Sequence, residues 1–262
     1  MPKFCANLSF LFTELPFAER FAAAARAGFS GVEYLSPYEF PAQDVAGWLS
    51  AHDLQQVLFN LPAGDWGAGE RGLACVPGRE ADFRRGVEQA LDYARALGCR
   101  IVHCMAGIAP PSETAGLTRR RYLDNLRYCA DQCAALGVTV TIEPINTRID
   151  MPGYWLNDVG LALGLLDEIE RPNVRLQLDL YHAHVIGAPL ADLLDQHIDR
   201  IAHIQVADYP GRHEPGSGEI PFAALFARLD RLGYQGWVGC EYRPRQGTEA
   251  GLGWLSSTFN RG

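Results

Sequence analysis

Lysine is almost absent from this sequence of 262 residues, since Lys3 is the only one and every other permanently basic side chain is an arginine. Enzymes that form a Schiff base need a buried lysine amine, so we expect no chemistry of that kind. The net charge is −8 and the pI is near 5.4. Such a surface repels the phosphates of nucleic acids and of anionic membranes, so we expect neither as a partner.

Long apolar runs and a cleavable leader are also missing. No segment approaches the length of a membrane-spanning helix, and the N-terminus has no basic stretch followed by an apolar core. The seven cysteines are irregularly spaced and lie in apolar runs, which is typical of buried thiols in a reducing compartment. Cys129 and Cys133 are one helical turn apart, but no second pair completes a zinc site. We therefore expect a cytoplasmic protein.

Strand-like and helix-like segments alternate along the whole chain. The strand-like segments are FCANLSF, GVEYL, LQQVLFN, RIVHCMAG, VTVTIEPIN, VRLQLDLYH, IAHIQVAD and WVGCEY. Helical patterns lie between them, among them NDVGLALGLLDEIE with Asn157 as its N-cap, and TEAGLGWLSS follows the last strand. No G-x-G-x-x-G motif follows the first strand and no Walker A motif occurs, so nucleotide-binding folds lose support. Eight such units predict an α/β protein, a (β/α)8 TIM barrel with a single domain over residues 1–262.

One connection is much longer than the others. Residues 61–78, after the third strand-like segment, contain many glycines and no helical or strand period. Loops of this length in a compact domain are usually functional or disordered. The segment either is a surface insertion or lies over the mouth of the barrel as a lid, which would suit its Trp66, Glu70 and Arg71.

Four consecutive strand-like segments carry an oxygen-bearing side chain near their carboxyl ends, where TIM barrels place their active sites. These residues are Glu143, Asp179, Gln205 and Glu241. Neighbouring strands are about 4.8 Å apart, so the four groups can converge. Converging carboxylates repel one another unless a cation is present, and such oxygen ligands favour Mg²⁺ or Mn²⁺ over zinc. The set predicts a divalent metal site, although each residue alone is equally well explained as a cap or a core amide.

Other polar residues each have two interpretations. His182 either faces a substrate or is a buried structural histidine, and Arg212 is either an ordinary loop residue or an anion-binding one. Asn60 ends the third segment and is a candidate for ordering water or substrate. His103 and His203 are interpreted as core groups.

Seven stretches of the sequence together resemble hydroxypyruvate isomerases, a branch of the xylose isomerase-like barrels. They are FCANLSFLF, NLPAGDWGAGERGLACVPGRE, TIEPIN, QLDLYH, HIQVAD, EPGSGEI and GCEYRP, and they cover nearly the whole chain in order. The resemblance implies an aldose–ketose type of isomerase that interconverts hydroxypyruvate and tartronate semialdehyde (2-hydroxy-3-oxopropanoate). It also implies that Glu143 and Glu241 are the acid/base pair, and that these two hold a divalent metal together with Asp179 and Gln205.

The implied substrate is a small anionic hydroxy-oxo acid. Its carboxylate needs a cation or a hydrogen-bond donor, and Arg212, Arg71 and His182 are the candidates. Related sugar epimerases carry a histidine where this sequence has Gln205, a departure that fits the isomerase branch. We expect a reaction through an enediolate, whose negative charge a metal stabilises where it develops.

Several alternatives stay open at this point. A sister group of the same branch isomerises four-carbon 2-oxo-tetronates, and the motifs do not separate the two. A ketose 3-epimerase shares the expected fold and metal, whereas a nuclease of the same superfamily would need more histidines and a basic groove. A non-enzymatic sugar-acid binding protein would not need two facing glutamates. Hydrophobic loop residues hint at a homo-oligomer.

Overall fold

Eight parallel strands close into a barrel in the order of the sequence, with the eighth strand paired to the first. The structure is a computed structural model and describes residues 2–255. The strands are Lys3–Asn7 (β1), Gly31–Tyr34 (β2), Gln55–Asn60 (β3), Ile101–His103 (β4), Thr139–Ile142 (β5), Val174–Asp179 (β6), Ile201–Val206 (β7) and Trp237–Cys240 (β8). The predicted TIM barrel is confirmed.

Helices connect successive strands and pack against the outside of the barrel. They are Phe17–Arg26 (α1), Ala42–Ala51 (α2), Glu80–Leu97 (α3), Ala115–Ala134 (α4), Val159–Ile169 (α5), Leu180–Ile186 (α6), Leu190–His197 (α7) and Phe222–Arg231 (α8), with 3-10 turns at Ile198–Arg200 and Glu249–Leu252. In α3, buried residues recur every three or four positions at Phe83, Val87, Ala90 and Ala94. That spacing turns one face of the helix to the barrel.

Most of the strands end before the predicted segments do, and two of these early ends affect the site. The fifth strand-like segment extends to Asn146, whereas β5 ends at Ile142. The sixth extends to His182, whereas β6 ends at Asp179. The carboxylate of Asp179 accepts the backbone N–H of His182, at 3.2 Å, and so caps α6. His182 therefore lies on a helix rather than on a strand.

The helix predictions also need correction. The N-cap of α5 is Asp158 rather than Asn157, since the Asp158 carboxylate accepts the N–H of Leu161 at 2.8 Å. Helix α2 has no counterpart among the predicted helices, because it buries only two residues and its apolar pattern is weak. The predicted terminal helix, residues 248–257, contains the 3-10 turn Glu249–Leu252, and its last two residues lie outside the described part of the chain.

The main apolar core lies between the barrel and its helices, and all seven cysteines are buried and free, as expected. The inside of the barrel carries buried polar side chains instead, among them Glu33, Gln177 and His203. Some of these bond across the barrel, as Gln205 of β7 does to Glu33 of β2. The barrel interior therefore places polar side chains next to a site at the carboxyl ends of the strands.

The long loop of residues 61–78 packs closely against the segment that follows β4. The backbone of Gly72 has a φ of 107°, and a Cβ at this position would lie 2.4 Å from the carbonyl oxygen of Met105. Glycine therefore permits both the conformation and the close approach. The side chain of Glu70 accepts the N–H of Asp65 at 2.6 Å and pairs with Arg79. Within residues 2–255, no helix has the length and apolarity needed to cross a membrane.

Candidate active site

The carboxyl ends of the strands surround a cavity of about 180 Å³. Glu143 directly follows β5 and Glu241 directly follows β8, and both line this cavity. Asp179 is the last residue of β6, and Gln205 pairs with it in the register between β6 and β7. All four residues are buried. The positions predicted from the strand ends therefore do meet at one end of the barrel.

Arg212 enters this group of carboxylates from the loop after β7. Its Nη2 lies 2.6 Å from Oε1 of Glu241 and 3.6 Å from Oδ2 of Asp179, while its Nη1 donates to Oδ1 of Asp150 at 3.0 Å. The guanidinium is more than nine-tenths buried and stacks on the ring of Tyr181, 5.2 Å from its centroid. Arg212 thus offsets part of the negative charge of the site.

Asp208 organises the loop that presents Arg212. Its Oδ1 accepts the N–H of Tyr209 and of Ile220, at 2.9 and 3.0 Å, and its Oδ2 accepts those of Gly216 and Gly218, at 2.9 and 2.8 Å. Sequence reasoning missed this role. The aspartate that ends HIQVAD, followed by a loop rich in glycine and proline, was the available signal.

Burial and crowding raise the pKa values of the two central glutamates. Burial, and next the charges of Glu241 and Asp179, raise the pKa of Glu143 well above its usual range. Its nearest donors are Gln177 Nε2, at 3.3 Å, and His103 Nδ1, at 3.6 Å. Burial raises the pKa of Glu241 to about 8 against the opposing charge of Arg212. A carboxyl group whose pKa is raised in this way holds its proton more tightly than an exposed one, a property that suits general acid and base chemistry.

Asp179 has one oxygen committed to the fold and one that has only an ion-pair contact, with Arg212 at 3.6 Å, and no hydrogen bond among residues 2–255. Its Oδ1 accepts the backbone N–H groups of Tyr181 and His182 at the start of α6. Its Oδ2 is buried and has no hydrogen-bond partner among residues 2–255, with Nε2 of His182 at 3.8 Å. Burial raises the pKa of Asp179, and Arg212 opposes that rise. A buried orphan oxygen of this kind is what a cation site requires.

The arrangement fits a divalent cation, although not with the full predicted set in place. One ligand atom each from Glu143, Asp179 and His182 lies within 4.8 Å of the others. The oxygens of Glu241 are bonded to Arg212 and Gln205, and the amide oxygen of Gln205 accepts from Gln177 at 2.7 Å. The carboxylate oxygens suit Mg²⁺ or Mn²⁺, and side-chain rotation is needed to bring all four predicted ligands together.

His182 and Asn60 both line the cavity. Nδ1 of His182 lies 2.7 Å from the side-chain nitrogen of Asn146. Burial, and next the charge of Arg212, lower the pKa of His182 well below its usual range, so the ring is neutral. The side-chain oxygen of Asn60 lies 3.2 Å from Nδ1 of His103, so this histidine is less a plain core group than the sequence suggested.

Two further arginines line the mouth of the cavity. Arg71, from the 61–78 loop, stacks 3.9 Å from the ring centroid of Trp66 and donates to the carbonyl oxygens of Trp66 and Glu70. Arg243 was not among the predicted site residues, and it is exposed just after β8. The signal was present in GCEYRP, two residues after Glu241.

Comparisons with known proteins show the family of this chain. Residues 21–258 match the sequence model of the xylose isomerase-like TIM barrels. The chain is 50% identical to a 2-oxo-tetronate isomerase of Cupriavidus necator over the full length of both chains. It is 44% identical to a hydroxypyruvate isomerase of Escherichia coli, with 97% of this chain and 98% of the relative covered. A crystal structure described as an AP endonuclease, family 2, from Brucella melitensis has a TM-score of 0.95 at 49% identity, with 98% of this chain and 99% of that chain covered.

The chain belongs to the xylose isomerase-like TIM-barrel family. Within that family it is an isomerase, an intramolecular oxidoreductase of the aldose–ketose type, as its full-length relatives are. The resemblance found in the sequence is confirmed.

Proposed function

We propose that this isomerase acts on short 2-oxo-3-hydroxy acids and interconverts hydroxypyruvate and tartronate semialdehyde. The observation that carries the proposal is the pair of buried carboxyl groups, Glu143 and Glu241, which line one small cavity and both have raised pKa values. A cavity of about 180 Å³ with arginines at its mouth suits a small anion. The hydroxypyruvate isomerase of Escherichia coli is a relative over nearly the whole chain.

The reaction moves one carbon-bound proton and one oxygen-bound proton. In the forward direction one glutamate removes a proton from C3 of hydroxypyruvate, and the electron pair forms an enediolate over C2 and C3. The other glutamate returns a proton to C2. The hydroxyl proton passes from the oxygen on C3 to the oxygen on C2, so the C3 hydroxyl becomes an aldehyde. Glu143 and Glu241 are proposed for these two roles, because they follow separate strands and both line the cavity.

A divalent cation, Mg²⁺ or Mn²⁺, is proposed to be held by Glu143, Asp179, Gln205 and Glu241. When bound, it supplies stabilisation for the negative charge that develops on the two substrate oxygens. His182 has a ligand atom close to Glu143 and Asp179, so it either joins this set or contacts the substrate beside it. Its neutral ring suits both roles.

The substrate carboxylate is proposed to bind near the mouth of the cavity. Arg212 contacts three carboxylates of the protein, so these groups already offset much of its positive charge. Among residues 2–255, the contacts of Arg71 are with carbonyl oxygens and an aromatic ring and not with a carboxylate, so its positive charge is available to an incoming anion. Arg212, Arg71, His182 and Asn60 together are the proposed substrate-binding residues.

The 61–78 loop is proposed to act as a lid. It carries Trp66 and Arg71 to the cavity, and the side chain of Trp66 is 46% exposed despite its size. An exposed tryptophan at the rim can move over a bound substrate and exclude water, which protects an enediolate from side reactions.

A four-carbon substrate is the second candidate. Relatives at 50% and 47% identity are named 2-oxo-tetronate isomerases, and the same proton transfer between C2 and C3 applies to such an acid. The extra carbon would extend toward the apolar side chains of the cavity, such as Met105, Ile145 and Met151. The name of the Brucella structure points instead to a nuclease, but the net charge of −8 disfavours a nucleic acid partner.

The choice between substrates is tested by measuring kcat/KM for hydroxypyruvate and for 2-oxo-tetronate with the same enzyme preparation in Mg²⁺ and in EDTA. We expect hydroxypyruvate to give the higher value. A preference for the four-carbon acid by tenfold or more, about 1.4 kcal/mol, would assign the second candidate. Turnover of neither acid, with cleavage of DNA at abasic sites, would contradict both.

A further inference from the structure

Another buried carboxylate, that of Glu33, lies next to the proposed site. Glu33, in β2, is fully buried, and its Oε1 accepts hydrogen bonds from the side-chain nitrogens of Asn7, at 3.0 Å, and Gln205, at 2.8 Å. The same two nitrogens donate to Oε2 of Glu241, at 2.9 and 2.6 Å. An amide nitrogen has two hydrogens, so each amide can bridge the two carboxylates with one hydrogen for each.

This bridge determines which way the amide of Gln205 points. The nitrogen of Gln205 faces the acceptor oxygens of Glu33 and Glu241, so its oxygen faces away from them. The oxygen accepts from Nε2 of Gln177 at 2.7 Å, and the same nitrogen lies 3.3 Å from Oε2 of Glu143. The orientation of Gln205 therefore links the two proposed acid/base residues.

Residues of β1, β7 and β8 surround the Glu33 carboxylate. A Cβ on Gly239, in β8, would lie 2.3 Å from Oε1 of Glu33, so any larger residue there would displace the carboxylate. Nε2 of His203 lies 2.5 Å from Oε2 of Glu33, and Sγ of Cys5 lies 3.5 Å from the same oxygen. A buried carboxylate is costly unless it is hydrogen-bonded, and here the amides of Asn7 and Gln205 donate to it.

We propose that Glu33 is a positioning residue for the isomerase reaction. Through the amides of Asn7 and Gln205 it fixes the carboxylate of Glu241 at the cavity and sets the direction of the Gln205 oxygen. Glu33 does not line the cavity, so it acts through these groups and not by touching the substrate. The inference rests on the proposed function, because it needs Glu241 as an acid/base group.

Two substitutions at position 33 separate this role from plain packing. Glu33→Met keeps an unbranched side chain but removes both acceptor oxygens. The amide nitrogens of Asn7 and Gln205 then lose their contact with residue 33 and keep only the one with Glu241. Glu33→Gln keeps one oxygen, which can still accept from both amides while its nitrogen turns toward His203. Gly239→Ala is the second route, since it displaces the carboxylate without changing a charge. Cys5→Ala is the control, because it removes a neighbour of Glu33 and leaves the amide contacts intact.

Crystal structures of the wild type and these variants test the bridge directly. We expect Glu33→Met and Gly239→Ala to move an amide nitrogen of Asn7 or Gln205 beyond about 3.5 Å from Glu241, which is outside hydrogen-bond distance. Glu33→Gln and Cys5→Ala should keep it in place. Amides that stay on Glu241 in both Glu33→Met and Gly239→Ala would overturn the proposal, whether or not the wild type is active.

Kinetics of the same variants test the functional consequence. We expect Glu33→Met to lower kcat about 10–100-fold, as loss of a group that orients a metal ligand does, with KM changed by less than about threefold. Glu33→Gln should recover most of kcat. Equal losses in both variants would overturn the positioning role, since packing and not hydrogen-bond acceptance would then explain them. A wild type without turnover on any 2-oxo acid would refute the proposed function. The crystal structures of the variants would still show whether Glu33 holds the two amides on Glu241.

Discussion

The buried carboxyl group of Glu241 should make the free energy of unfolding depend on pH, and one substitution should reduce that dependence. Burial raises the pKa of this group from 4.5 to about 8, against the opposing charge of Arg212. The folded state therefore binds this proton more tightly than the unfolded state. The resulting stabilisation is fully present below pH 4.5 and is lost as the pH rises through the folded pKa.

The magnitude follows from the size of the shift. From 4.5 to about 8, at 1.36 kcal/mol per unit, the proton contributes on the order of 4 to 5 kcal/mol at low pH. Between pH 5 and pH 8 the wild type should lose roughly 3 to 4 kcal/mol of this contribution. Glu143 and Asp179 titrate in the same network, so the loss belongs to the group of carboxyls of which Glu241 is one member.

Urea unfolding in EDTA at several values between pH 5 and pH 8 measures this effect for the wild type and for Glu241→Gln. The glutamine cannot titrate, so we expect the free energy of unfolding to fall less steeply with pH in the variant. The difference between the two proteins should change by roughly 3 kcal/mol across the range. Two parallel curves would refute the reasoning, because Glu241 would then have an ordinary pKa in the folded state.

Three other substitutions give independent checks. Glu143→Gln should lower kcat by at least about 10²-fold while the circular dichroism spectrum is unchanged, since it removes a proton-transfer group; near-normal turnover would contradict this. Gly72→Ala should lower the free energy of unfolding, measured in urea, by about 1–3 kcal/mol, because Gly72 has a φ of 107° and lies close to the carbonyl of Met105. Gly116→Ala is the control and should not lower it, because Gly116 lies in a helix with open space around it. Asp158→Ala should cost about 1 kcal/mol, or 2–4 °C in Tm, through loss of the α5 cap; an unchanged Tm would exclude the cap.

The sequence carried enough information for the fold because the barrel depends on local patterns. Short β-branched runs alternate with amphipathic helices, and each strand can be recognised without knowledge of its neighbours. The same patterns could not locate the ends of the strands, because these ends depend on the contacts of individual side chains. The sixth strand stops because the Asp179 carboxylate caps α6, and this capping competes with strand pairing. Helix α2 was missed because its apolar face is small.

The candidate site was predictable only in part, for a related reason. Glu143, Asp179, Gln205 and Glu241 follow from strand positions, and the barrel does bring their backbones together. The contacts of each side chain depend on residues far away in sequence, such as Glu33. In the GVEYL segment, Glu33 is recognisable only as a charged residue within an apolar strand. No local pattern reports that this carboxylate meets Gln205 across the barrel.

The position of Arg212 illustrates the same limit. The sequence left open whether it was a surface residue or an anion ligand. The structure places it among three carboxylates, because Asp208 folds the loop after β7 by accepting four backbone N–H groups. That outcome depends on a whole loop, including backbone at Arg212 with a φ of 57°, and not on one motif.

The central claim is that two glutamates move a proton between neighbouring carbons of a short 2-oxo acid. Proton NMR of hydroxypyruvate in D₂O with the enzyme tests it most directly, with Mg²⁺, Mn²⁺ or EDTA and with Glu143→Gln as the control. The account predicts deuterium at C3 and the appearance of tartronate semialdehyde with the wild type, and tartronate semialdehyde at least about 10²-fold more slowly with the variant. No exchange with the wild type under any metal condition would contradict the claim for this substrate.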